Sequence, residues 1–280
     1  MTRQTLRHTF GEDAELYDRV RPTYPRELFQ DLARQVGSPQ RVLEIGPGTG
    51  QATGAMVERG WGVTALELSP GLAEVLRRKY PTVEVIAADF DTWELPTAEY
   101  DLVVSATAFH WLDPATRVAR CVQLLKPGGA LAVVSTRHVA GGSEQLFADV
   151  QACYDKFTDD PAADRMMAAD DVPPDPEGLA KTGLFESVQF GKYVWDATYT
   201  TAEYLELLSS YSGHRALTTD RRDRLYDCIA AHIDRSGGSI TKRYLNQLSV
   251  GICLHQPLHS SAWVGQNNRA GREFTVDFRV

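Results

Sequence analysis

Short apolar runs alternate with helical patterns between about residues 40 and 135. The runs are nearly continuous in apolar residues, as expected for parallel strands covered on both faces. Strands are predicted at 41–45, 63–68, 83–88, 100–106 and 130–135. Helices are predicted at 51–60, 70–79 and about 113–125, with a turn at 126–129. This order is typical of βαβ units around a parallel sheet.

The pattern changes after residue 140. Residues 143–157 predict an amphipathic helix, and the acidic, proline-rich stretch up to Gly178 predicts an exposed loop. Its carboxylates lack regular ligand spacing, so no metal site is expected. The remainder predicts a strand at 187–200, helices at about 201–210 and 218–235, and a last strand near 239–254. The end of the tail alternates like an edge strand.

Composition narrows the classes of function. Hydrophobic residues make up 43% and charged residues 24%, which allows a substantial core. The net charge of -8 offers no broad cationic field, so a nucleic-acid partner is not expected. With no signal peptide and no membrane span predicted, the expected location is cytoplasmic. The four cysteines form no CxxC pair and are predicted to be reduced and mostly buried: Cys121, Cys153, Cys228 and Cys253.

The segment EIGPGTG, residues 44–50, lies where a predicted strand turns into a helix. Its glycines, Gly46, Gly48 and Gly50, let the backbone approach a ligand, and the helix start offers N–H donors to an anionic group. The dinucleotide fingerprint GxGxxG would require glycine at the position of Gln51, and no GK[ST] follows. A nucleotide-like ligand other than NAD is therefore predicted.

Acidic residues follow the next two strands. Glu67 ends the second strand, where a carboxylate can accept hydrogen bonds from both hydroxyls of a ribose. Asp89 ends the third strand and can accept from an adenine amine, while Phe90 packs on the base. These positions meet at the carboxyl edge of one sheet, where α/β folds bind ligands.

These segments, with YDLVVSATAFHWL and LLKPGGALAVVS, resemble the motifs of class I S-adenosylmethionine-dependent methyltransferases. Small-molecule members similar to trans-aconitate and ubiquinone-pathway methyltransferases resemble the chain most. The resemblance implies a doubly wound, Rossmann-like α/β sheet of about seven strands with the last strand antiparallel. It implies S-adenosylmethionine as cofactor, S-adenosylhomocysteine as product, and these cofactor-binding residues: Glu44, Gly46, Gly48, Thr49, Gly50, Glu67, Leu68, Asp89, Phe90 and Ala106.

The predicted methyltransferase domain spans 1–255, with a tail of unknown role at 256–280. Within it we expect an N-terminal cap (1–34), a cofactor-binding half (35–140), an insertion or lid (141–180) and a C-terminal half (181–255). Phe10, Tyr17, Arg21 and Tyr24 in the first segment suggest that it covers the substrate pocket together with the insertion, because an open site would expose the methyl group to water.

The acceptor is predicted to be a small molecule of unidentified structure, and the protein a monomer or homodimer. A catalytic base is optional: a carboxylate acceptor needs none, while a hydroxyl or carbon acceptor usually does. The catalytic candidates are His110, Tyr17 and Tyr24, with Arg21, His214 and Arg215 as further positioning groups. The absence of a [DNS]PPY-like motif disfavours nucleobase N-methylation. A non-catalytic cofactor-binding protein and a nicotinamide oxidoreductase are the alternatives.

Overall fold

A seven-stranded mixed sheet forms the centre of the protein. The structure, a computed structural model, describes residues 9–158 and 166–254. The strands are β1 (Arg41–Ile45), β2 (Gly62–Glu67), β3 (Glu84–Ala87), β4 (Tyr100–Ala106), β5 (Leu125–His138), β6 (Phe185–Thr200) and β7 (Ser239–Cys253). Their order is β3-β2-β1-β4-β5-β7-β6. The first five pair in parallel and β7 is antiparallel to both neighbours, which confirms the predicted fold class.

Helices flank the sheet and extend beyond its carboxyl edge. They are α1 (Ala14–Val20), α2 (Arg26–Val36), α3 (Thr53–Val57), α4 (Pro70–Lys79), α5 (Arg117–Leu124), α6 (Glu144–Phe157), α7 (Thr201–Ser209), α8 (Ser212–Arg215) and α9 (Thr219–Arg235). Helix α4 has the predicted bounds because the Ser69 side chain accepts a hydrogen bond from Leu72 N and Pro70 occupies the first turn.

Two apolar clusters hold the sheet between its layers. One packs α2, through Leu28, Phe29 and Leu32, together with residues of β1, β4, β5 and β7. The other contains side chains such as Leu43 and Val103 together with α5. Neighbouring side chains of β1 and β4 thus enter different clusters, which explains why these strands are apolar along their whole length.

A third cluster joins α6, α7 and α9 and includes Ile240 of β7. We call these three helices the cap. The sequence predicts a cover made of residues 1–34 and the insertion at 141–180. In the structure α7 and α9 also pack with the helix of that insertion, through side chains such as Val150, Leu207 and Ile229. The hydrophobic periodicity indicates that each helix has an apolar face. It does not indicate which other element that face packs against.

Two local predictions differ from the structure. The predicted turn at 126–129 belongs to β5, which continues through it with a register shift between Tyr100 and Leu102 of β4. Helix α5 begins at Arg117 instead of near Asp113. The reason is that the Asp113 carboxylate accepts from Ala115 N and fixes a turn ahead of the helix.

The prediction that all four cysteines are reduced is wrong for two of them. Cys153 of α6 and Cys228 of α9 form a disulfide, because the packing of these helices brings their Cα atoms to 5.9 Å. Cys121 and Cys253 are free and buried, as expected. A ring nitrogen of His232 lies within 4.8 Å of both sulfur atoms, a group that could hold a metal ion. Metal ligation by these cysteines requires thiolates, so it excludes the disulfide.

Part of the predicted acidic loop (159–165) and the tail from residue 255 onward lie outside the described residues. No helix in the described ranges is long and apolar enough to cross a membrane.

The disulfide predicts the thiol content of the protein. Denatured without reductant, the chain should show two reactive thiols, Cys121 and Cys253, and after reduction four. The Cys228→Ser variant should melt at lower temperature, since a cross-link across 75 residues stabilises by up to about 4 kcal/mol. Thiol titration and mass spectrometry make the measurement. Four reactive thiols in the unreduced chain would contradict the assignment.

Candidate cofactor and acceptor site

A buried carboxylate joins the ends of β1 and β2. Glu67 is only 5% exposed. Its Oε2 accepts from Gly48 N at 3.0 Å and its Oε1 from Ser69 N at 2.9 Å. Because Gly48 follows β1 and Ser69 precedes α4, one side chain fixes both the glycine loop and the start of the helix.

The glycine loop is shaped by backbone that other residues rarely adopt. Gly46 and Gly48 have φ values of 68° and 61°. A Cβ atom on Gly46 would lie 2.5 Å from the Cβ of Ala108, and one on Gly48 would lie 3.1 Å from the Tyr17 ring. The absence of side chains at these glycines therefore allows Ala108, after β4, and Tyr17, of α1, to pack against the loop. This is a second role beside the ligand approach that the sequence predicts.

Glu44 and Thr49 are buried residues of the glycine segment, and the side chain of each accepts a hydrogen bond from a residue that follows in the chain. Glu44 is 1% exposed and accepts a hydrogen bond of 2.6 Å from the Thr53 hydroxyl at the start of α3. Thr49 is fully buried, and its hydroxyl accepts from Gln51 Nε2 at 2.7 Å. Gln51, whose identity argued against a dinucleotide fingerprint, thus has a structural contact within the loop.

Burial sets the protonation of the two glutamates. It raises the pKa of Glu67 to about 7, and the N–H groups of Ser69 and Gly48 oppose the rise. It raises the pKa of Glu44 to about 7 as well, where the Thr53 hydroxyl opposes the rise and the charge of Glu67 adds to it. Both carboxyls therefore titrate near neutral pH.

The residues predicted for the adenine differ in accessibility. Asp89 is half-buried, and its Oδ1 accepts from Asp91 N at 3.1 Å. Phe90 is 3% exposed and lies in the second core cluster, beneath the guanidinium of Arg120. Leu68 is half-buried next to Glu67. Asp89 and Leu68 remain reachable from the edge of the sheet, whereas contact of the Phe90 ring with a base would require its packing to change.

Helix α1 connects the glycine loop with the residues around α8. Tyr17 lies against Gly48, and the Arg21 guanidinium lies 4.9 Å from the Tyr17 ring centroid and 4.4 Å from that of Tyr211. Arg21 Nη2 also donates to Ser210 O at 2.7 Å. The side chain of Phe10, part of the predicted cover, lies outside the description.

A hydrogen-bonded series that sequence reasoning missed crosses the end of β4. Tyr24 Oη lies 2.9 Å from Thr107 Oγ1, which lies 2.8 Å from Thr136 Oγ1. Asn246 Nδ2 donates to Thr136 Oγ1 at 2.8 Å. Thr107 has a φ of 54°, a strained value for a residue that is not glycine. These residues are distant in sequence, so no motif connects them. The one local sign of the series is the strained backbone of Thr107, and a backbone angle cannot be recognised from the sequence.

The predicted histidines lie in different places. His110 is half-buried in a 3-10 turn, Phe109–Trp111, just beyond Ala106, and its ring centroid is 5.0 Å from that of Trp111. His214 is fully buried among the rings of the cap, with Nε2 3.3 Å from Tyr154 Oη. Arg215 pairs with Glu12 at 3.2 Å. His110 thus lies at the end of β4. His214 instead packs against Tyr154 of α6, and Arg215 forms an ion pair with Glu12.

Burial also affects the two tyrosines predicted to be catalytic. It raises the pKa of Tyr17, with the Arg21 charge opposing the rise. It raises the pKa of Tyr24 as well, against the hydrogen bond with Thr107. Both phenols therefore stay protonated at neutral pH, which suits donors and positioning groups better than bases.

Comparison with known proteins gives a consistent picture. Residues 43–133 match a family described as a methyltransferase domain. An uncharacterised methyltransferase of Mycobacterium tuberculosis is 29% identical over 236 residues, 82% of this chain and 89% of the relative. A malonyl-[acyl-carrier protein] O-methyltransferase of Halorhodospira halophila is 30% identical over 195 residues, 64% of this chain and 65% of that protein.

A solved structure shares the fold. It is that of a candidate type II methyltransferase from Anaeromyxobacter dehalogenans, with a TM-score of 0.59 at 21% identity. The match covers 84% of this chain and 99% of the other.

Proposed function

We propose that this chain, which belongs to the Rossmann-like S-adenosylmethionine-dependent methyltransferases, binds that cofactor at the carboxyl edge of its sheet and methylates a small molecule. The observation that carries the proposal is the Glu67 carboxylate, buried at the end of β2 and bonded to the glycine loop.

The residues present fit the cofactor. The glycine loop exposes backbone without side chains, and a Cβ atom on Gly48 would lie only 3.1 Å from the Tyr17 ring. The Glu67 carboxylate accepts from Gly48 N on one oxygen and from Ser69 N on the other, and the Leu68 N–H also interacts with it. A carboxylate has about four lone-pair sites, so it retains acceptor capacity for a ribose hydroxyl. The loop from Gly46 to Gly50, with Glu44 and Thr49 beneath it, would hold the methionine part. Asp89 would accept from the adenine amine, and Leu68 and Ala106 would line the site. Phe90 would contact the base only with a change in its packing beneath Arg120.

The bound cofactor supplies a methyl group that is already activated, so the protein has mainly to align the acceptor and exclude water. Tyr17 covers the glycine loop as a protonated phenol, and Tyr24 orients Thr107 at the end of β4. His110 would remove a proton if the acceptor has one to lose. A lowered kcat with a changed pH profile in His110→Asn would support that role, and an unchanged profile would contradict it.

Two other functions are weaker. A nicotinamide oxidoreductase would share the sheet and the acidic residue, but Gln51 replaces the third glycine of its fingerprint. A non-catalytic binding protein would keep the cofactor contacts without turnover, so detection of transferred methyl separates the two cases. The malonyl-[acyl-carrier protein] acceptor in the name of the Halorhodospira relative is a property of that protein, and it is not part of the function proposed for this chain.

Glu67→Gln should weaken binding of S-adenosylhomocysteine by about 1.5 to 3 kcal/mol at pH 8, the range for hydrogen bonds to a charged group. Binding requires the ionised carboxylate, whose pKa in the free protein is about 7. Wild-type affinity should therefore rise about tenfold from pH 6 to pH 8 and then level off. The variant should lack this component, and calorimetric titration measures both.

The control for that experiment is Glu74→Gln, an exposed glutamate of α4, which should bind like the wild type. The amino group of the ligand titrates too, but its effect is common to all variants. Equal dissociation constants and equal pH profiles for wild type and Glu67→Gln would contradict the ribose assignment.

We also propose that residues 1–34 and 141–180 cover the acceptor site, together with α7 and α9. Two contacts of α1 support this proposal. Tyr17 packs against Gly48 of the glycine loop, and Arg21 packs against the ring of Tyr211, which directly precedes α8. Deleting residues 1–24 should abolish most methyl transfer while the circular dichroism of the core persists. Full activity of the folded, truncated protein would contradict the cover.

A further inference from the structure

Two cysteines and a histidine from two helices of the cap meet at one place. Cys228 and His232 are four residues apart on α9, so their side chains share one face of that helix. Cys153 lies opposite them on α6, where the two helices pack together. All the donor atoms, the two sulfurs and a ring nitrogen of His232, lie within 4.8 Å of one another. The packing of the cap thus collects two sulfur donors and one nitrogen donor in a single group.

This group lies at the rim of the apolar core of the cap. Cys228 and His232 are half-buried, and each directly precedes a buried isoleucine, Ile229 or Ile233. Cys153 is fully buried. A small cation can therefore approach from the solvent side of α9, while the packing of both helices fixes the positions from which its ligands project.

The group has two chemical states. In the oxidised state Cys153 and Cys228 form the disulfide, which offers no thiolate to a metal ion. A dithiol reductant converts the disulfide by exchange into two thiols, passing on two electrons and two protons, and is itself oxidised to a disulfide. Glutathione and thioredoxin systems keep cysteines in this thiol state in reducing compartments. Reduction therefore leaves two thiols beside the imidazole of His232.

We propose that the reduced chain binds a Zn²⁺ ion through Cys153, Cys228 and His232, and that this ion joins α6 to α9 in place of the disulfide. Binding forms two Zn–S bonds and one Zn–N bond and releases the two thiol protons. Ligand atoms around tetrahedral zinc are about 3.5 to 3.8 Å apart, because Zn–S is about 2.3 Å and Zn–N about 2.0 to 2.1 Å. The Cα atoms of the cysteines are 5.9 Å apart, so rotation of the side chains can supply this arrangement. With three protein ligands, water takes the fourth position.

The donor set selects the metal. Two thiolates and an imidazole suit Zn²⁺, whereas Mg²⁺ and Ca²⁺ require oxygen ligands. The site uses neither Glu67 nor the glycine loop, so the inference is independent of the proposed function. Its consequence is a cap in which α6 and α9 are cross-linked under oxidising and under reducing conditions.

The test titrates the full-length protein with Co²⁺, which reports thiolate ligation by charge-transfer absorption. The protein is reduced with dithiothreitol and desalted under argon. Reduced wild type should bind one Co²⁺ per chain with the absorption of a tetrahedral thiolate site, and Zn²⁺ should displace it. Oxidised wild type should lack this absorption. Zn²⁺ should also raise the melting temperature of the reduced protein and leave that of the oxidised protein unchanged.

Three variants identify the ligands. His232→Ala keeps both cysteines and should bind Co²⁺ at least about tenfold more weakly, while its oxidised form should melt like oxidised wild type. Cys228→Ser should lose most of the charge-transfer absorption. Cys253→Ala, the matched control, removes a free cysteine of β7 and should bind Co²⁺ like the wild type.

If Cys228→Ser does not fold, X-ray absorption at the zinc edge of reduced wild type counts the ligands directly. Two sulfur atoms at about 2.3 Å and nitrogen or oxygen atoms at about 2.0 to 2.2 Å are expected. No thiolate absorption in reduced, folded wild type, equal Co²⁺ affinity of His232→Ala and wild type, or equal metal binding by oxidised and reduced wild type would overturn the proposal.

Discussion

The burial of one carboxylate between two strand ends is the constraint on which the site depends. Glu67 accepts from Gly48 N on one side and from Ser69 N on the other. The glycine loop therefore cannot move away from β2 without leaving a carboxylate buried and poorly solvated, which is costly. The same burial raises the pKa of Glu67 to about 7, so the group that positions the loop is also sensitive to a ligand that hydrogen-bonds to it.

The elements around this loop each add a separate contact. Gly46 admits Ala108 from the chain after β4, and Gly48 admits Tyr17 from α1. Arg21 then stacks against Tyr211, so contacts run from the loop toward Lys242 on β7. The disulfide between α6 and α9 keeps the far end together by fixing the distance between two cap helices.

The sequence predicted what local pattern and punctuation determine. The buried strands are short, nearly continuous apolar runs, and α4 has a capping serine followed by proline, so these elements were found close to their bounds. The glycine loop and Glu67 were found because their spacing relative to the strands is itself the signal. The order of the elements predicts an α/β fold around a parallel sheet. The count of seven strands and the antiparallel last strand follow only from the resemblance to a known family.

Features that depend on distant contacts escaped prediction. Cys153 and Cys228 are 75 residues apart and show no spacing motif, so only the packing of their helices reveals the disulfide. The series from Tyr24 to Asn246 joins four separate parts of the chain. Lys242 lies in the polar stretch TKRY, which by itself is typical of a surface strand, yet Lys242 is buried in the structure. The register that decides burial is tertiary information.

The most direct measurement of the central claim is a paired calorimetric titration of the purified protein with S-adenosylhomocysteine and with NAD. The glycine spacing and the placement of Glu67 predict saturable one-to-one binding of S-adenosylhomocysteine and negligible binding of NAD at the same concentrations. Tighter binding of NAD, or no binding of S-adenosylhomocysteine by the folded protein, would contradict the account.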